Sequence, residues 1–268
     1  MIIKKISKIL KRPQQIPLKI LNIINLFLLR LGIQYKRVIK GSPQTFREEL
    51  ERFEHLGSER EWRQIMLYSE IMPKIFEIHG DIAEFGVASG TSLKAFTRIT
   101  SILNSGFPHY VAKKKVYGFD SFQGLSNIKK IDNAAKSSSL YEGLFSSSGT
   151  LDTLKKFISQ FECTEIITGL FQETLENFLE INPHITFSLI HIDCDIYEST
   201  KFVLDKLIDR ISIGGIILFD EIFHPVFPGE TTAFLEVYNK KLMEKKGIEL
   251  KFFRCKSMPW KWYCVRIK

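Results

Sequence analysis

Cysteine is scarce in this sequence, and no two cysteines have the close spacing that is typical of a metal-binding or redox site. The 268 residues contain four cysteines, none of which forms a Cys-x-x-Cys pair. A cleavable signal peptide is not evident either, because Arg30–Gln34 offers no small-residue cleavage site after an apolar run. The sequence therefore predicts reduced thiols in a cytoplasmic protein.

Acidic residues are absent from the first 47 positions, where eleven lysines and arginines occur. The rest of the chain carries 27 of the 38 basic residues and all 30 acidic ones, so it is mildly acidic despite the total charge of +8. Because nucleic-acid binding needs a basic surface on the folded domain, this distribution predicts no nucleic-acid partner. We divide the chain into a basic amphipathic arm, residues 1–47, and a domain, residues 48–268.

A hydrophobic run long enough to cross a bilayer is absent from the arm. Its apolar stretch Ile20–Leu29 would span about 15 Å as a helix, against a hydrocarbon core of about 30 Å. Residues 2–10 combine isoleucine and leucine at helical spacing with lysines, which is typical of a helix on an anionic membrane surface. This interpretation predicts peripheral contact with the inner face of the membrane through residues 1–40. A second interpretation stays open, in which the arm packs on its own domain or on a partner subunit of a homo-oligomer.

Beyond the arm, short apolar runs alternate with amphipathic stretches. Ser58 and Glu61 form a capping box, which predicts the start of a helix of about 20 residues. The alternation indicates an α/β fold, a doubly wound and mostly parallel seven-stranded Rossmann-like sheet that ends in an antiparallel hairpin. The predicted strands are Ile82–Phe85, Val116–Phe119, Glu165–Thr168, Phe187–Ile192, Ile213–Phe219, Ile248–Cys255 and Lys261–Ile267, and the helices between them are Ser92–Leu103, Leu151–Phe161, Glu173–Leu179, Ser199–Arg210 and Thr231–Lys241.

The usual glycine fingerprints of nucleotide-binding proteins are missing after the first predicted strand. The sequence there is EFGVASGTS, which has a GxxxG spacing instead of GxGxxG and lacks the Lys-Ser/Thr of a P-loop. Gly86 and Gly90 permit a tight turn and close approach of a ligand, and the strand-end carboxylate of Glu84 suits a cationic ligand. The residues predicted to contact this ligand are Glu84, Phe85, Gly86, Ser89, Gly90, Thr91 and Ser92.

An acidic residue, Asp120, ends the second predicted strand. A carboxylate in this place can accept hydrogen bonds from both hydroxyls of a ribose. Together with the first motif it indicates an adenosine-containing ligand, which Ser121 and Phe122 are also predicted to contact. Core packing stays open as an alternative role for Phe122.

Carboxylates also end the fourth and fifth predicted strands. Asp193 and Asp195 follow the fourth strand, and Asp220 and Glu221 end the fifth. Because the two strands are expected to be neighbours, Asp193 should lie close to Asp220 and Glu221. Three carboxylates so close together repel each other unless a cation binds them or they become protonated. Oxygen ligands favour a hard ion such as Mg²⁺. A simpler interpretation, that these acids only cap the following helices, stays open from the residues alone.

These motifs together resemble the macrocin O-methyltransferase (TylF-like) family, whose members methylate sugar hydroxyls. The resemblance covers roughly residues 58–234 and rests on EFGVASGTS, GFDSFQGL, GLFQETL, HIDCDIYEST and FDEIFHPVFPGETTAF. It implies a class I methyltransferase fold with S-adenosyl-L-methionine as donor. It also implies a metal on Asp193 and the Asp220–Glu221 pair, with Asp195 as general base, so that Asp193 and Asp195 are the expected catalytic residues. The best-known members carry a second Asp where this chain has Glu221.

The expected function is therefore divalent-metal-assisted O-methylation of a sugar-containing acceptor. If the arm binds membrane, a cell-surface glycan or its precursor is favoured as the acceptor. Two alternatives stay open. The missing GxGxxG opposes a nicotinamide-dependent oxidoreductase, and the combination of Glu84 with Asp120 opposes a non-catalytic, membrane-associated sugar-binding module.

Overall fold

The computed structural model describes residues 59–106, 108, 113–135, 137–244 and 247–268. The basic arm and the predicted cap Ser58 lie outside these residues. The chain divides into two units, Met1–Trp62 and Arg63–Lys268, and the second contains the sheet and the strand ends discussed below. No helix among the described residues combines the length and the apolar character needed to span a membrane.

Seven strands form one sheet within the described residues, in the order β3-β2-β1-β4-β5-β7-β6. The strand β7 is antiparallel to both of its neighbours, β5 and β6, and the remaining pairs are parallel. The order reverses between β1 and β4, which places a ligand-binding crevice beyond their carboxyl ends. The strands are β1 (Asp81–Phe85), β2 (Val116–Asp120), β3 (Thr164–Thr168), β4 (Phe187–Ile192), β5 (Ile211–Phe219), β6 (Leu250–Arg254) and β7 (Trp262–Arg266).

Helices cover both faces of the sheet, and each face has its own apolar core. The helices are α1 (Glu59–Phe76), α2 (Thr91–Asn104), α3 (Leu151–Ile158), α4 (Phe171–Ile181), α5 (Tyr197–Leu207) and α6 (Pro228–Met243). Buried side chains of α1, α2 and α3 pack on one face, and those of α4, α5 and α6 pack on the other. Every residue of β4 is buried, as expected for a parallel strand with both faces covered.

The predicted fold class is confirmed, and the differences are confined to the ends of elements. The last helix begins at Pro228, three residues before the predicted Thr231. Proline fits the first turn of a helix because the amide hydrogen that it lacks would have no helical partner there. The predicted helix Ser199–Arg210 begins instead at Tyr197, and its end, Ile208–Arg210, is a separate 3₁₀ turn.

Candidate functional site

A cleft opens beyond the carboxyl ends of the four strands β1 to β4. It encloses about 650 Å³, open mouth included. Each of the four strand ends contributes to its wall, through Gly86, Asp120, Gly169 and Asp193 respectively. The loop after β2 adds Ser121 and Phe145 to the lining. The site therefore lies at the switch point of the sheet, where ligands bind in open α/β folds.

The turn after β1 packs directly against the end of β4. Gly86 has a positive φ of 93°, and a Cβ atom there would collide with the backbone carbonyl oxygen of Asp193. Gly90 also has a positive φ, 79°, and a Cβ there would press into the side chain of Leu154. At Gly86 the left-handed backbone and the collision with another backbone segment exclude any larger residue, whereas at Gly90 the positive φ favours glycine and the contact is with the movable end of a leucine side chain.

The carboxylate of Asp120 holds this turn in place. Its Oδ2 accepts the backbone N–H groups of Val87 and Ala88, each at 2.7 Å, and its Oδ1 accepts that of Phe122 at 2.6 Å. Ala88 and Phe122 have positive φ angles of 47° and 59°, which are uncommon outside glycine. An ionised carboxylate offers about four acceptor sites, so Asp120 can hold this backbone and still accept from a ligand at the cleft wall.

The remaining residues predicted to contact the donor lie in four different environments. Ser121 lines the cleft, whereas Ser89 and Thr91 are exposed at the start of α2, with their hydroxyl oxygens 3.3 Å apart. Phe85 is buried and stacks on Phe119, with ring centroids 4.7 Å apart. Phe122 is 2% exposed and belongs to the apolar core beneath α1, α2 and α3, in keeping with a packing role. Glu84 and Ser92 belong to a buried polar row.

This polar row crosses the sheet beneath the cleft and joins four charged or titratable side chains. Glu84 Oε1 accepts from Ser92 Oγ and lies 2.9 Å from His191 Nδ1. On the other side of the imidazole, His191 Nε2 lies 3.8 Å from Asp220 Oδ1, which in turn pairs with the ammonium of Lys261. Glu84 and His191 are register partners in β1 and β4, which explains their contact. The row is almost inaccessible to solvent.

Two members of this row, His191 and Asp220, lie close enough to Asp193 for the three side chains to share one metal ion. Ligand atoms of His191, Asp193 and Asp220 lie within 4.8 Å of one another. The Nε2 atom of His191 is buried and has no hydrogen-bond partner among the described residues. An imidazole nitrogen in need of a partner beside two carboxylates fits a divalent cation. The residues present are therefore suited to hold the metal that the sequence predicts.

Glu221, which the sequence predicts as a metal ligand, is not part of this compact group. Its carboxylate oxygen Oε2 lies 3.6 Å from Nδ1 of His224, and its backbone N–H donates to Glu230 Oε1 at 3.1 Å. Asp193 and Asp220 are brought together as expected, but the third member of the compact group is His191. Sequence reasoning missed Glu230, a fully buried carboxyl near this cluster, because it lies inside a helix and does not end a strand.

Burial raises the pKa values of the two aspartates that follow β4. The pKa of Asp193 rises to about 6 mainly through loss of water, and the neighbouring His191 opposes the rise. The pKa of Asp195 also rises to about 6 through burial, which the charge of Lys261 opposes. Both aspartates line the cleft. A carboxylate whose pKa lies near neutrality is suited to accept a proton from a reacting hydroxyl.

Asp132, which the sequence did not single out, connects the loop after β2 to the start of α5. Its buried carboxylate accepts the backbone N–H groups of Lys129 and Tyr197, each at 2.7 Å. Tyr197 is the first residue of α5, so Asp132 satisfies a helix amide that has no partner inside the helix. A Cβ on Gly229, in the first turn of α6, would collide with the same carboxylate. The sequence gives no signal for this contact because the three segments are distant along the chain.

Comparison with known proteins identifies the family. The sequence matches the macrocin-O-methyltransferase (TylF) family over residues 65–242, which is well over half of the chain. The chain therefore belongs to this family, and the resemblance seen in its motifs is confirmed.

Two curated relatives are antibiotic O-methyltransferases. The chain is 26% identical over 149 residues to the 8-demethyl-8-(2,3-dimethoxy-alpha-L-rhamnosyl)-tetracenomycin-C 4'-O-methyltransferase of Streptomyces olivaceus, covering 54% of this chain and 53% of the relative. It is 25% identical over 149 residues to the demethyldecarbamoylnovobiocin O-methyltransferase of Streptomyces niveus, with the same coverage of both chains. The match spans about half the length of these relatives.

Solved methyltransferase structures share the fold. A calicheamicin methyltransferase superimposes with a TM-score of 0.69 at 24% identity, over 86% of this chain and 89% of that one. The O-methyltransferase NovP superimposes with a TM-score of 0.55 at 20% identity, over 77% and 80% of the two chains. The fold is therefore that of class I methyltransferases, including the antiparallel strand of the carboxyl-terminal hairpin.

Proposed function

We propose that this protein transfers the methyl group of S-adenosyl-L-methionine to a hydroxyl of a sugar-containing acceptor. The observation that carries the proposal is one cleft whose wall includes the carboxylate of Asp120 and the half-buried pair Asp193 and Asp195. A donor ribose would hydrogen-bond to Asp120, and the acceptor hydroxyl would lie near Asp195. Membership of the family and the O-methyltransferase activity of the two curated relatives support the same reaction.

In the proposed reaction the hydroxyl oxygen attacks the sulfonium methyl carbon. A carbon–oxygen bond forms, the carbon–sulfur bond breaks with its electron pair going to sulfur, and S-adenosylhomocysteine leaves. The hydroxyl proton passes to the carboxylate of Asp195. Holding the donor at the Gly86 turn and the acceptor at the end of β4 brings the reacting atoms together, which supplies much of the rate.

The metal part of the proposal concerns Asp193, Asp220 and a third ligand. His191 is the third member of the compact group, and Glu221, whose Oε2 lies 3.6 Å from Nδ1 of His224, is not a member of it. When bound, a divalent ion such as Mg²⁺ makes a coordinated hydroxyl easier to deprotonate. The protein's contribution is to hold the carboxylates at one point with little water around them.

The alternative nicotinamide enzyme and the non-catalytic module can be separated from this proposal by two measurements. Calorimetry with S-adenosylhomocysteine and with NAD should give binding of the first only. Incubation with methyl-labelled S-adenosyl-L-methionine and separate pools of nucleotide sugars and lipid-linked glycans should label one pool, and Asp195→Asn should abolish that label. The methyltransferase proposal would be rejected if the protein bound NAD but not S-adenosylhomocysteine. It would also be rejected if the protein bound the donor but no pool from the cells that make this protein became labelled.

Metal removal should stop the reaction. We expect EDTA to abolish methyl transfer and excess Mg²⁺ to restore it, because two neighbouring carboxylates and an imidazole nitrogen are grouped within 4.8 Å. Asp193→Asn and Asp220→Asn should each raise the Mg²⁺ concentration needed for half-maximal activity, since each removes one anionic ligand. The activity titrations provide the measurement. Full activity in the chelator would leave a metal-free mechanism with Asp195 as the base.

A further inference from the structure

Lys261 places a positive charge inside the strand-end carboxylate cluster. Its side chain is only 3% exposed, and its ammonium pairs with Oδ1 of Asp220. The same charge lowers the pKa values of Asp193 and Asp195, so the ammonium acts on all three aspartates at these strand ends. Lysine is almost never buried this deeply unless it is paired, because a desolvated ammonium is costly.

The hairpin backbone holds Lys261 in this position. Its N–H donates to the carbonyl of Met258 at 2.9 Å, and its carbonyl accepts the N–H of Cys255 at 3.0 Å. The next residue, Trp262, is the register partner of Phe219 at the end of β5. Lys261 directly precedes β7 and Asp220 directly follows β5, so the two residues lie side by side. Their contact follows from the antiparallel pairing of β5 with β7.

A divalent ion and Lys261 would compete for the same carboxylate. Asp220 is one of the three residues grouped closely enough to ligate a metal, and it is also the partner of the lysine. Two cations on one buried carboxylate repel strongly because the surroundings screen charge poorly. The oxygen that pairs with the lysine, Asp220 Oδ1, is also the one that lies 3.8 Å from Nε2 of His191, the third member of the metal group.

We propose that Lys261 is the resident cation of this cluster, so that a divalent ion must displace its ammonium from Asp220 in order to bind. The inference rests on the proposed function only in taking Asp193 and Asp220 as metal ligands. In the metal-free protein the lysine neutralises part of the carboxylate cluster and keeps the strand ends together. In the metal-loaded protein Asp220 bonds the ion instead.

The test is the affinity of the full-length protein for Mn²⁺, measured by calorimetry without donor or acceptor. Lys261→Met keeps the length of the side chain and removes its charge, and we expect it to tighten Mn²⁺ binding by about tenfold or more. Lys261→Arg should bind as weakly as the wild type. The matched control is Lys256→Met, an exposed lysine of the same hairpin turn, which should leave the affinity unchanged.

A second measurement uses the wild-type protein and does not depend on a variant that folds. Acetylation of lysines followed by mass spectrometry should find Lys261 protected relative to Lys256 without metal, and more reactive in saturating Mn²⁺. Equal Mn²⁺ affinities for wild type and Lys261→Met, or weaker binding by the variant, would overturn the proposal while leaving the metal site standing. Protection of Lys261 that persists in saturating Mn²⁺ would also overturn it. Absence of Mn²⁺ binding in every protein would overturn both the proposal and the metal part of the proposed function.

Discussion

Asp195 occupies a left-handed backbone conformation, with φ of 60°, directly beyond the buried strand β4. Asparagine and aspartate tolerate this conformation better than other residues with a Cβ atom, so Asp195→Asn changes the chemistry without straining the backbone. We expect this variant to keep donor and Mn²⁺ affinities close to wild type while turnover falls by about 10²- to 10⁴-fold, since it removes a proton acceptor but no ligand. Turnover and the two affinities are measured on the same protein.

Asp193→Asn is the matched control for Asp195→Asn, because it alters a neighbouring aspartate that belongs to the compact metal group. It should lose Mn²⁺ affinity together with activity. If Asp195→Asn loses the metal as well, Asp195 is a ligand and the base has to be sought among other groups, with His224 as the next candidate.

Asp120 has two roles in the structure, and substitutions can separate them. Asp120→Ala removes the acceptor of three backbone N–H bonds as well as the proposed ribose contact. We therefore expect a loss of about 2–4 kcal/mol in unfolding free energy and a loss of S-adenosylhomocysteine affinity. Asp120→Asn keeps one acceptor oxygen and should lose less stability. Chemical denaturation and calorimetry measure the two effects, and unchanged affinity in both variants would contradict the ribose assignment.

At the residue scale the sequence predicts which side chains end a strand, but not which atoms they contact. Asp193 and Asp220 could be placed together because neighbouring parallel strands end at one edge. The contact of Glu84 with His191 depends on the register between β1 and β4, which the sequence does not reveal. Lys261 could not be found, because its pairing with Asp220 depends on the folding back of the final hairpin.

Among the elements, the turn between β1 and α2 has the least tolerance for added volume. Gly86→Ala should destabilise the protein by about 3 kcal/mol, because the new Cβ meets the Asp193 carbonyl at a positive φ. It should also weaken S-adenosylhomocysteine binding, since relief of the collision moves the cleft wall. Thermal denaturation and calorimetry would measure both effects.

Two other glycines provide controls for this substitution. Gly143 has a positive φ of 81°, but an added Cβ would come no closer than 4.0 Å to another atom, the carbonyl oxygen of Gln123. Gly143→Ala therefore tests the backbone strain alone. Gly149 has nothing within 4 Å of an added Cβ, so Gly149→Ala should be close to neutral. If Gly86→Ala lowers the free energy of unfolding no more than Gly143→Ala does, the close packing of the turn after β1 on the end of β4 is not important for stability.

The order and type of the elements follow from the apolar pattern, whereas their ends depend on local chemistry. The fourth strand, Phe187–Ile192, is found as predicted because both of its neighbours bury it and every residue is apolar or paired. The helix Leu151–Ile158 ends three residues before the predicted Phe161. The amphipathic pattern continues past that point, but the chain must turn there to enter β3. A helical pattern of apolar residues does not predict where such a turn begins.

At the scale of the whole molecule, charge divides the chain into two parts of opposite sign. The first 47 residues hold eleven basic and no acidic side chains, and the rest is mildly acidic. The site chemistry uses only the second part, so nothing in the cleft accounts for the basic arm. We propose that the arm binds an anionic membrane surface, which would favour an acceptor at the membrane, such as a cell-surface polysaccharide or its precursor, over a diffusing small molecule.

The last prediction tests this proposal for the arm directly. Each basic residue near an anionic surface contributes about 1 kcal/mol, and only some of the eleven can reach the surface together. We expect the full-length protein to sediment with phosphatidylserine vesicles at low salt and to be released at high salt, because salt screens these attractions. A shortened protein that begins at Ser42 should stay in the supernatant. A full-length variant with Lys4, Lys5 and Lys8 changed to Gln keeps the isoleucines and should bind more weakly than wild type, which separates charge from apolar insertion. If the full-length and shortened proteins sediment alike, the arm is a packing or oligomerisation element, and the reason for favouring a membrane-bound acceptor disappears with it.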